Sequence, residues 1–286
     1  MKKIRIYILA LCALCCVACA QDKELGEVES LLPDYTLPQG KSPADDRIVE
    51  LYNQYGTYTL YEYERLDFLY GLTASYVYTL PDPRYVGDML DLLEKIWFQF
   101  YPKEFHRKYM PYKILLADSL LLTQTSGSLK LKYLYYGQNS MAIGYCSDTL
   151  RKMSASTKLE FKKELQRQLW NNWVYSSMEF PDEFFKVSDY SKTANKDKTS
   201  PDYARARGFV ANNGSEWCTS IYATDLYKYL DTDLAAFMTS MTTRTSEEWA
   251  ADLEYPLVKK KYNMLQAYFL EKYDVDLKRI GDTVYE

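Results

Sequence analysis

The sequence predicts an α+β domain, in which a small mixed sheet with helices is followed by a mainly helical half. Short runs of β-forming residues cluster before residue 150, for example at 57–63 and 112–117. Helical periodicity dominates after residue 155, most clearly at 157–178 and 257–273. The chain has 286 residues, of which 47% are hydrophobic, and this is enough for one large domain or two small ones.

The first half alternates between helices and strands. The segment 85–101 keeps apolar residues at the helical period, whereas 57–63 alternates in the manner of a strand. Gly56, Pro81 and Gly127 mark turns between such segments. The expected helices are 44–55, 85–101 and 105–109, and the expected strands are 57–63, 112–117, 129–136 and 140–146.

The second half is organised around a long central helix at 157–178. Thr157 and Glu160 have the spacing of a capping box at its start. Apolar residues then recur every four positions, which predicts a buried stripe formed by Phe161, Leu165, Leu169 and Trp173. A polar loop is expected at 189–202, and further helices are expected at 215–229, 234–243, 246–253 and 257–273, with 275–280 closing the domain.

Residues 1–18 have the pattern of an export signal, with a positive start and an apolar run too short to span a bilayer. The next residue, Cys19, follows a small residue in a pattern that resembles a bacterial lipobox. The resemblance implies cleavage before Cys19 and its acylation, for example with palmitate; a secreted protein cleaved nearby is the alternative. Prolines and charges at 19–43 indicate a lipid-anchored flexible tether, which leaves 44–286 as a single domain.

Charge and cysteine content limit the function classes. The net charge of −4 falls to −7 once Lys2, Lys3 and Arg5 leave with the signal, so the chain has no basic footprint for nucleic acid. Besides Cys19, only Cys146 and Cys218 remain in the mature chain. Outside the inner membrane they could form a disulfide, or they could stay as two buried thiols.

The chain contains one histidine, His106, which we interpret as a surface or capping residue. One histidine excludes a zinc site with two histidine ligands from a single chain. The acids Asp225, Asp231 and Asp233 lack the glycine and glutamate of an EF-hand loop and are interpreted as solvated loop acids.

Several segments, taken in order, resemble the putative zinc-binding metallopeptidases found as lipoproteins in Bacteroides-type bacteria. The similarity covers residues 44–286 and implies a zincin-like architecture. The segments are YKILLADS at 112–119, NSMAIGYC at 139–146, FPDEF at 180–184, GFV at 208–210, SEW at 215–217, SEEW at 246–249 and the closing run at 258–280.

The resemblance breaks at the catalytic motif. Family members carry HExxH on the central helix and another histidine one turn later, where two histidines bind zinc and the glutamate activates water. The matching positions here are Gln168, Leu169, Asn172 and Tyr175, and a second acidic motif matches Glu216 and Thr219. These six residues define a vestigial cleft without metal or cofactor. The alternative is that the polar ones are ordinary residues of a partly exposed helix.

The sequence therefore favours a surface-exposed outer-membrane lipoprotein with a catalytically inactive metallopeptidase-like fold. It would act as a binding or assembly subunit in the uptake of peptides or glycans. Members of the family are often encoded beside outer-membrane uptake genes. The resemblance therefore implies a TonB-dependent transporter and its lid lipoprotein, of the SusC/SusD type, as partners.

Two alternatives stay open. One is a hydrolase that uses other carboxylates, such as Glu179, Glu183 or Glu216. The other is a glycan-binding lipoprotein whose rings stack on a sugar; the candidate rings are Trp170, Trp173 and Tyr190.

Overall fold

The computed structural model of the chain describes residues 35–175, 178–191, 194–195, 197–210 and 226–286, with residues 226–231 described for their backbone only. The segment Leu37–Glu286 forms one compact unit. Residues 37–43, assigned to the tether above, belong to this unit: the Gln39 amide donates to Glu62 O at 2.6 Å, and Tyr61 OH accepts from Lys41 N at 2.9 Å. No helix in the described part of the chain is long and apolar enough to cross a membrane.

The described chain contains ten α-helices and seven strands, which confirms the α+β class. The helices are α1 Asp45–Tyr55, α2 Arg65–Leu69, α3 Val86–Ile96, α4 Lys103–Tyr109, α5 Ala155–Val174, α6 Asp182–Phe185, α7 Leu226–Thr243, α8 Ser246–Trp249, α9 Pro256–Tyr273 and α10 Leu277–Asp282. The strands are β1 Tyr58–Leu60, β2 Tyr76–Thr79, β3 Lys113–Leu116, β4 Ser119–Thr123, β5 Leu129–Leu131, β6 Leu134–Tyr136 and β7 Ser140–Ile143.

The strands form two sheets. The first has the order β1-β3-β7-β6, in which β1, β3 and β7 are parallel and the edge strand β6 is antiparallel. Its central strands read as continuous apolar runs because both faces are covered; Ile114, Leu115 and Leu116 are fully buried. The second sheet is antiparallel, with the order β2-β4-β5.

The single strand predicted at 129–136 is wrong: it is two strands in different sheets. β5 pairs with β4, while β6 pairs with β7. The change of sheet occurs at Lys132 and Tyr133, where Lys132 N donates to Leu120 O at 2.9 Å and Tyr133 O accepts from Gly144 N at 2.8 Å. The two sheets are thus joined by a short, hydrogen-bonded crossing.

The central helix α5 begins two residues earlier than predicted. Ser154 has an extended backbone, and its hydroxyl accepts a hydrogen bond from Thr157 N at 3.2 Å, so Ser154 is the N-cap. The predicted capping box of Thr157 and Glu160 is therefore wrong, because Thr157 already lies inside the first turn.

The predicted apolar stripe of α5 is confirmed as the centre of the core. Phe161, Leu165 and Leu169 are fully buried and Trp173 is 2% exposed. The helix packs against α3, α7 and the edge strand β6. Helix α10 lies close against α7, because a Cβ added at Gly281 would meet Met241 O at 2.5 Å and Arg244 O at 2.3 Å. Glycine is needed there for the close approach of the two helices.

Candidate functional site

The face of α5 beside the apolar stripe carries the residues that the sequence resemblance assigned to zinc-ligand positions. The Gln168 amide donates to Glu164 Oε1 at 3.0 Å, and the Asn172 amide donates to Gly137 O at 3.2 Å. Tyr175 follows the last turn and is 60% exposed. Both amides thus form hydrogen bonds within the fold, and the Asn172 bond ties α5 to the turn between β6 and β7.

Leu169, which the sequence resemblance assigned to the position of the general base, is fully buried on the apolar stripe. A hydrocarbon side chain cannot accept a proton from water. Cys19, Cys218, Glu216 and Thr219 lie outside the described residues, so the predictions made for them stay predictions.

The three rings expected to stack on a ligand are part of the core. Trp170 is fully buried, and its indole donates to Tyr101 OH at 3.1 Å. Trp173 donates to Tyr109 O at 2.9 Å, and Tyr190 OH donates to Asp233 Oδ2 at 2.6 Å. Their burial revises the stacking expectation, because none of the three rings presents an open face to a sugar.

His106 is 1% exposed, so its interpretation as a surface residue is wrong. One ring nitrogen lies 3.0 Å from Phe98 O, and aromatic rings such as those of Tyr55 and Tyr101 pack around it. Burial lowers the pKa of the imidazole to about 4, so it is neutral at pH 7. Among the described residues, no three histidine, cysteine, aspartate or glutamate side chains assemble as metal ligands.

Two of the carboxylates proposed for an alternative hydrolase are paired with lysines. Glu179 pairs with Lys272, and Glu183 lies 2.5 Å from Lys186 Nζ. Both are surface ion pairs, in which the lysine ammonium group neutralises the neighbouring carboxylate. Cys146 is a buried free thiol, and burial raises its pKa to about 12, so it is not a nucleophile at neutral pH.

A cleft of about 320 Å³ opens along α5, on the N-terminal continuation of the same face. Glu160 and Glu164 lie two turns and one turn before Gln168, so the cleft and the vestigial positions share one side of the helix. The cleft is lined by Lys130, Leu131, Lys132 and Tyr133 from β5 and the crossing, by Glu160, Lys163, Glu164 and Arg167 from α5, and by Thr243 from α7.

The electrostatics of this cleft are uneven. The Arg167 guanidinium holds the Glu164 carboxylate, with Nε to Oε2 at 2.9 Å, and Lys163 Nζ lies 3.8 Å from Glu160 Oε1. Lys130 and Lys132 form no ion pair with a described residue. Four cations thus face two carboxylates, and both carboxylates already have a cation from their own helix.

Sequence reasoning identified the helix face but not this cleft. Its walls come from segments about thirty residues apart, at 130–133 and 160–167. The available signal was the run of polar residues at four-residue steps, Glu160, Glu164, Gln168 and Asn172, which extends the face beyond the motif positions.

No protein-family model and no curated protein sequence matches the chain. The fold is similar to that of a crystal structure from Bacteroides caccae described as a putative zinc-binding metallo-peptidase. The two chains are 15% identical, the match covers 82% of this chain and 87% of that chain, and the TM-score is 0.48. This is a distant likeness in fold to a metallopeptidase, and a likeness at this level says nothing about chemistry.

Proposed function

We propose that the protein is a lipid-anchored, non-catalytic binding subunit at the outer surface of a bacterial outer membrane. The proposal rests on the side chains that occupy the motif positions of the central helix α5. Gln168 and Asn172 are held in internal hydrogen bonds, and Leu169 is buried in the core. A scaffold of this kind retains a helix face and an adjacent cleft, but at these positions it has neither the ligands nor the base that zinc hydrolysis needs.

Metal content and turnover together test the absence of peptidase chemistry. We expect elemental analysis of the purified chain to give zinc well below one equivalent, and mixed peptide substrates to stay intact with or without a chelator. Stoichiometric zinc together with chelator-sensitive cleavage would refute the proposal. In that case Glu179→Gln and Glu183→Gln would locate the base.

The anchor is supported by the export signal at 1–18 and by Cys19 in its lipobox-like setting. Several acyl chains hold a protein firmly, since each buried methylene contributes roughly 0.8 kcal/mol. Cells grown with labelled palmitate should incorporate it into the wild type and not into the Cys19→Ala variant. External protease applied to intact cells should digest a surface-exposed protein; full protection would contradict surface display.

The proposed role in nutrient uptake rests on the uptake proteins that usually accompany members of the family that the sequence resembles. Crosslinking in intact membranes, followed by capture of the protein, should recover a TonB-dependent transporter and its lid lipoprotein. The unanchored Cys19→Ala variant is the matched control and should recover neither. Repeated capture of the wild type without a transporter would overturn this assignment.

A further inference from the structure

The cleft beside α5 has the charge pattern of a binding site for an acidic ligand. We propose that it binds an acidic oligosaccharide, with a uronic carboxylate held by Lys130 and Lys132 and neighbouring hydroxyl groups held by Glu160 and Glu164. This inference rests on the proposed binding function and names the ligand class of that function.

The floor of the cleft is fixed before any ligand arrives. Glu164 accepts from Arg167 through both carboxylate oxygens and from the Gln168 amide at 3.0 Å. The side chains of Arg167 and Glu164 are only 23% and 19% exposed, so they form one half-buried row. A row held in this way loses little conformational entropy on binding.

The wall opposite this row supplies the uncompensated charge. Lys130 lies on β5 and Lys132 lies at the crossing that follows it, and both side chains line the cleft. Neither ammonium group forms an ion pair with a described residue. An anionic group held by both lysines gains two charge-assisted hydrogen bonds.

The other groups in the cleft favour a ligand rich in hydroxyls. The carboxylates of Glu160 and Glu164 accept hydrogen bonds, and the hydroxyls of Tyr133 and Thr243 both donate and accept. A uronic acid carries hydroxyls beside its carboxylate and satisfies both sets of partners. A peptide made only of aspartate and glutamate offers carboxylates and amides but no hydroxyls. The volume of about 320 Å³ suits one or two sugar residues.

The test is calorimetric titration of the full chain with trigalacturonate, with neutral maltotriose and triglutamate as comparison probes. We expect binding of trigalacturonate that weakens as salt is added, and no binding of maltotriose. The variant Lys130→Glu with Lys132→Glu should lose at least about tenfold in affinity, because two charge-assisted contacts become repulsive.

A matched control has the same charge change elsewhere. Lys259→Glu with Lys260→Glu reverses two exposed lysines on α9 and should bind trigalacturonate like the wild type. The variant Glu160→Ala should weaken trigalacturonate more than it affects triglutamate. Should the cleft variant fail to fold, amide chemical shifts of the wild type provide the readout, with changes expected at 130–133 and 160–167.

Three outcomes would overturn the inference. They are no binding of trigalacturonate, unchanged affinity in the Lys130→Glu, Lys132→Glu variant, and binding of triglutamate as tight as that of trigalacturonate. The last outcome would assign the cleft to an acidic peptide. None of them alters the zinc, turnover or palmitate results, so failure of this inference is distinguishable from failure of the proposed function.

Discussion

Three lysines are fully buried among the described residues, Lys113, Lys162 and Lys261, and the fold satisfies the last two in opposite ways. Lys261 on α9 is matched by a full charge, since its Nζ lies 2.6 Å from Asp233 Oδ2 on α7. Lys162 on α5 is matched by backbone carbonyls, with Ile280 O at 2.5 Å and Thr283 O at 2.7 Å. The same side chain thus forms an ion pair in one place and caps the end of a helix in the other.

The difference shows what each arrangement costs. At Lys261 the charge is cancelled nearby, and Phe184, Phe209 and Phe237 present their rings to the ammonium group at 4.8–5.5 Å. At Lys162 the partial negative charge at the end of α10 and the more distant carboxylates of Asp282 and Glu248 do not offset desolvation, which lowers its pKa to about 8. Removal of one partner should therefore lower the unfolding free energy more at Lys261 than at Lys162. A change of pH should alter the unfolding free energy more through Lys162 than through Lys261.

Lys261→Met should have the largest effect. It leaves the Asp233 carboxylate buried without its cation, and breaking a buried pair costs about 3–5 kcal/mol of unfolding free energy. The double variant Lys261→Met with Asp233→Leu removes both charges and should lose about 2 kcal/mol or less. Urea unfolding of the three chains measures this, and equal losses in the single and double variants would show that the stranded charge is not the cause.

Acidification should act through His106, another buried titratable group. Its pKa is about 4 in the folded chain and 6.5 when unperturbed, so between these values the unfolded chain binds the proton more readily. Stability is then full above pH 6.5 and falls by about 3 kcal/mol as the pH drops to 4. Because the chain has one histidine, NMR follows its titration without overlap.

His106→Phe is the matched control for the acid effect. It keeps a planar ring among the surrounding aromatic side chains but cannot take up a proton. Its unfolding free energy should lack the histidine part of the loss between pH 6.5 and 4. An imidazole that titrates near 6.5 in the folded chain would contradict the burial seen here.

Lys162→Met should have a smaller effect than Lys261→Met, because it leaves carbonyl groups without a donor but strands no charge. We expect a loss of about 2 kcal/mol in unfolding free energy at pH 7. The neighbouring Lys163→Met is the control: this lysine is partly exposed, its contact with Glu160 is 3.8 Å long, and its loss should change stability by less than about 0.5 kcal/mol. Equal effects would remove the special role of Lys162.

Mild alkali should give the smallest of these effects, and it should increase the stability of the folded chain. The pKa of Lys162 is lowered from 10.5 to about 8, so above pH 8 the folded chain releases a proton that the unfolded chain keeps. Stability should rise by about 1 kcal/mol between pH 8 and 9. Burial also lowers the pKa of Lys113 to about 8, but this contribution cancels in the difference between the wild type and Lys162→Met. A difference that stays constant with pH would refute the prediction.

The features predicted correctly from the sequence are those with a local cause. The α+β class, the strand at Lys113–Leu116 and the buried stripe of α5 follow from periodicity and composition within single segments. The strand β4 and the split at Lys132 were missed, because a run of β-forming residues contains no signal for the sheet in which each part pairs.

The buried polar groups were missed for a different reason. His106 and Asp233 read as surface residues because their partners are distant in the chain or belong to other elements; Lys261 is 28 residues from Asp233. Only part of the candidate site was predicted from the sequence, for the same reason. The i, i+4 spacing identified the helix face, but whether its amides are open to a ligand depends on Glu164 and on Gly137, which periodicity cannot reveal.

The contacts of Lys162 also determine when the core can form during synthesis of the chain. A chain is synthesised from its N-terminus, so Lys162 on α5 emerges 118 residues before Ile280, whose carbonyl this lysine needs. Until then the ammonium group keeps its water, and α5 cannot be buried without a large desolvation cost. We expect nascent chains that end at residue 275 to be digested rapidly by protease, and chains that extend through residue 286 to resist. On the export route proposed above, late completion of the core would keep the polypeptide unfolded for nearly all of its transport.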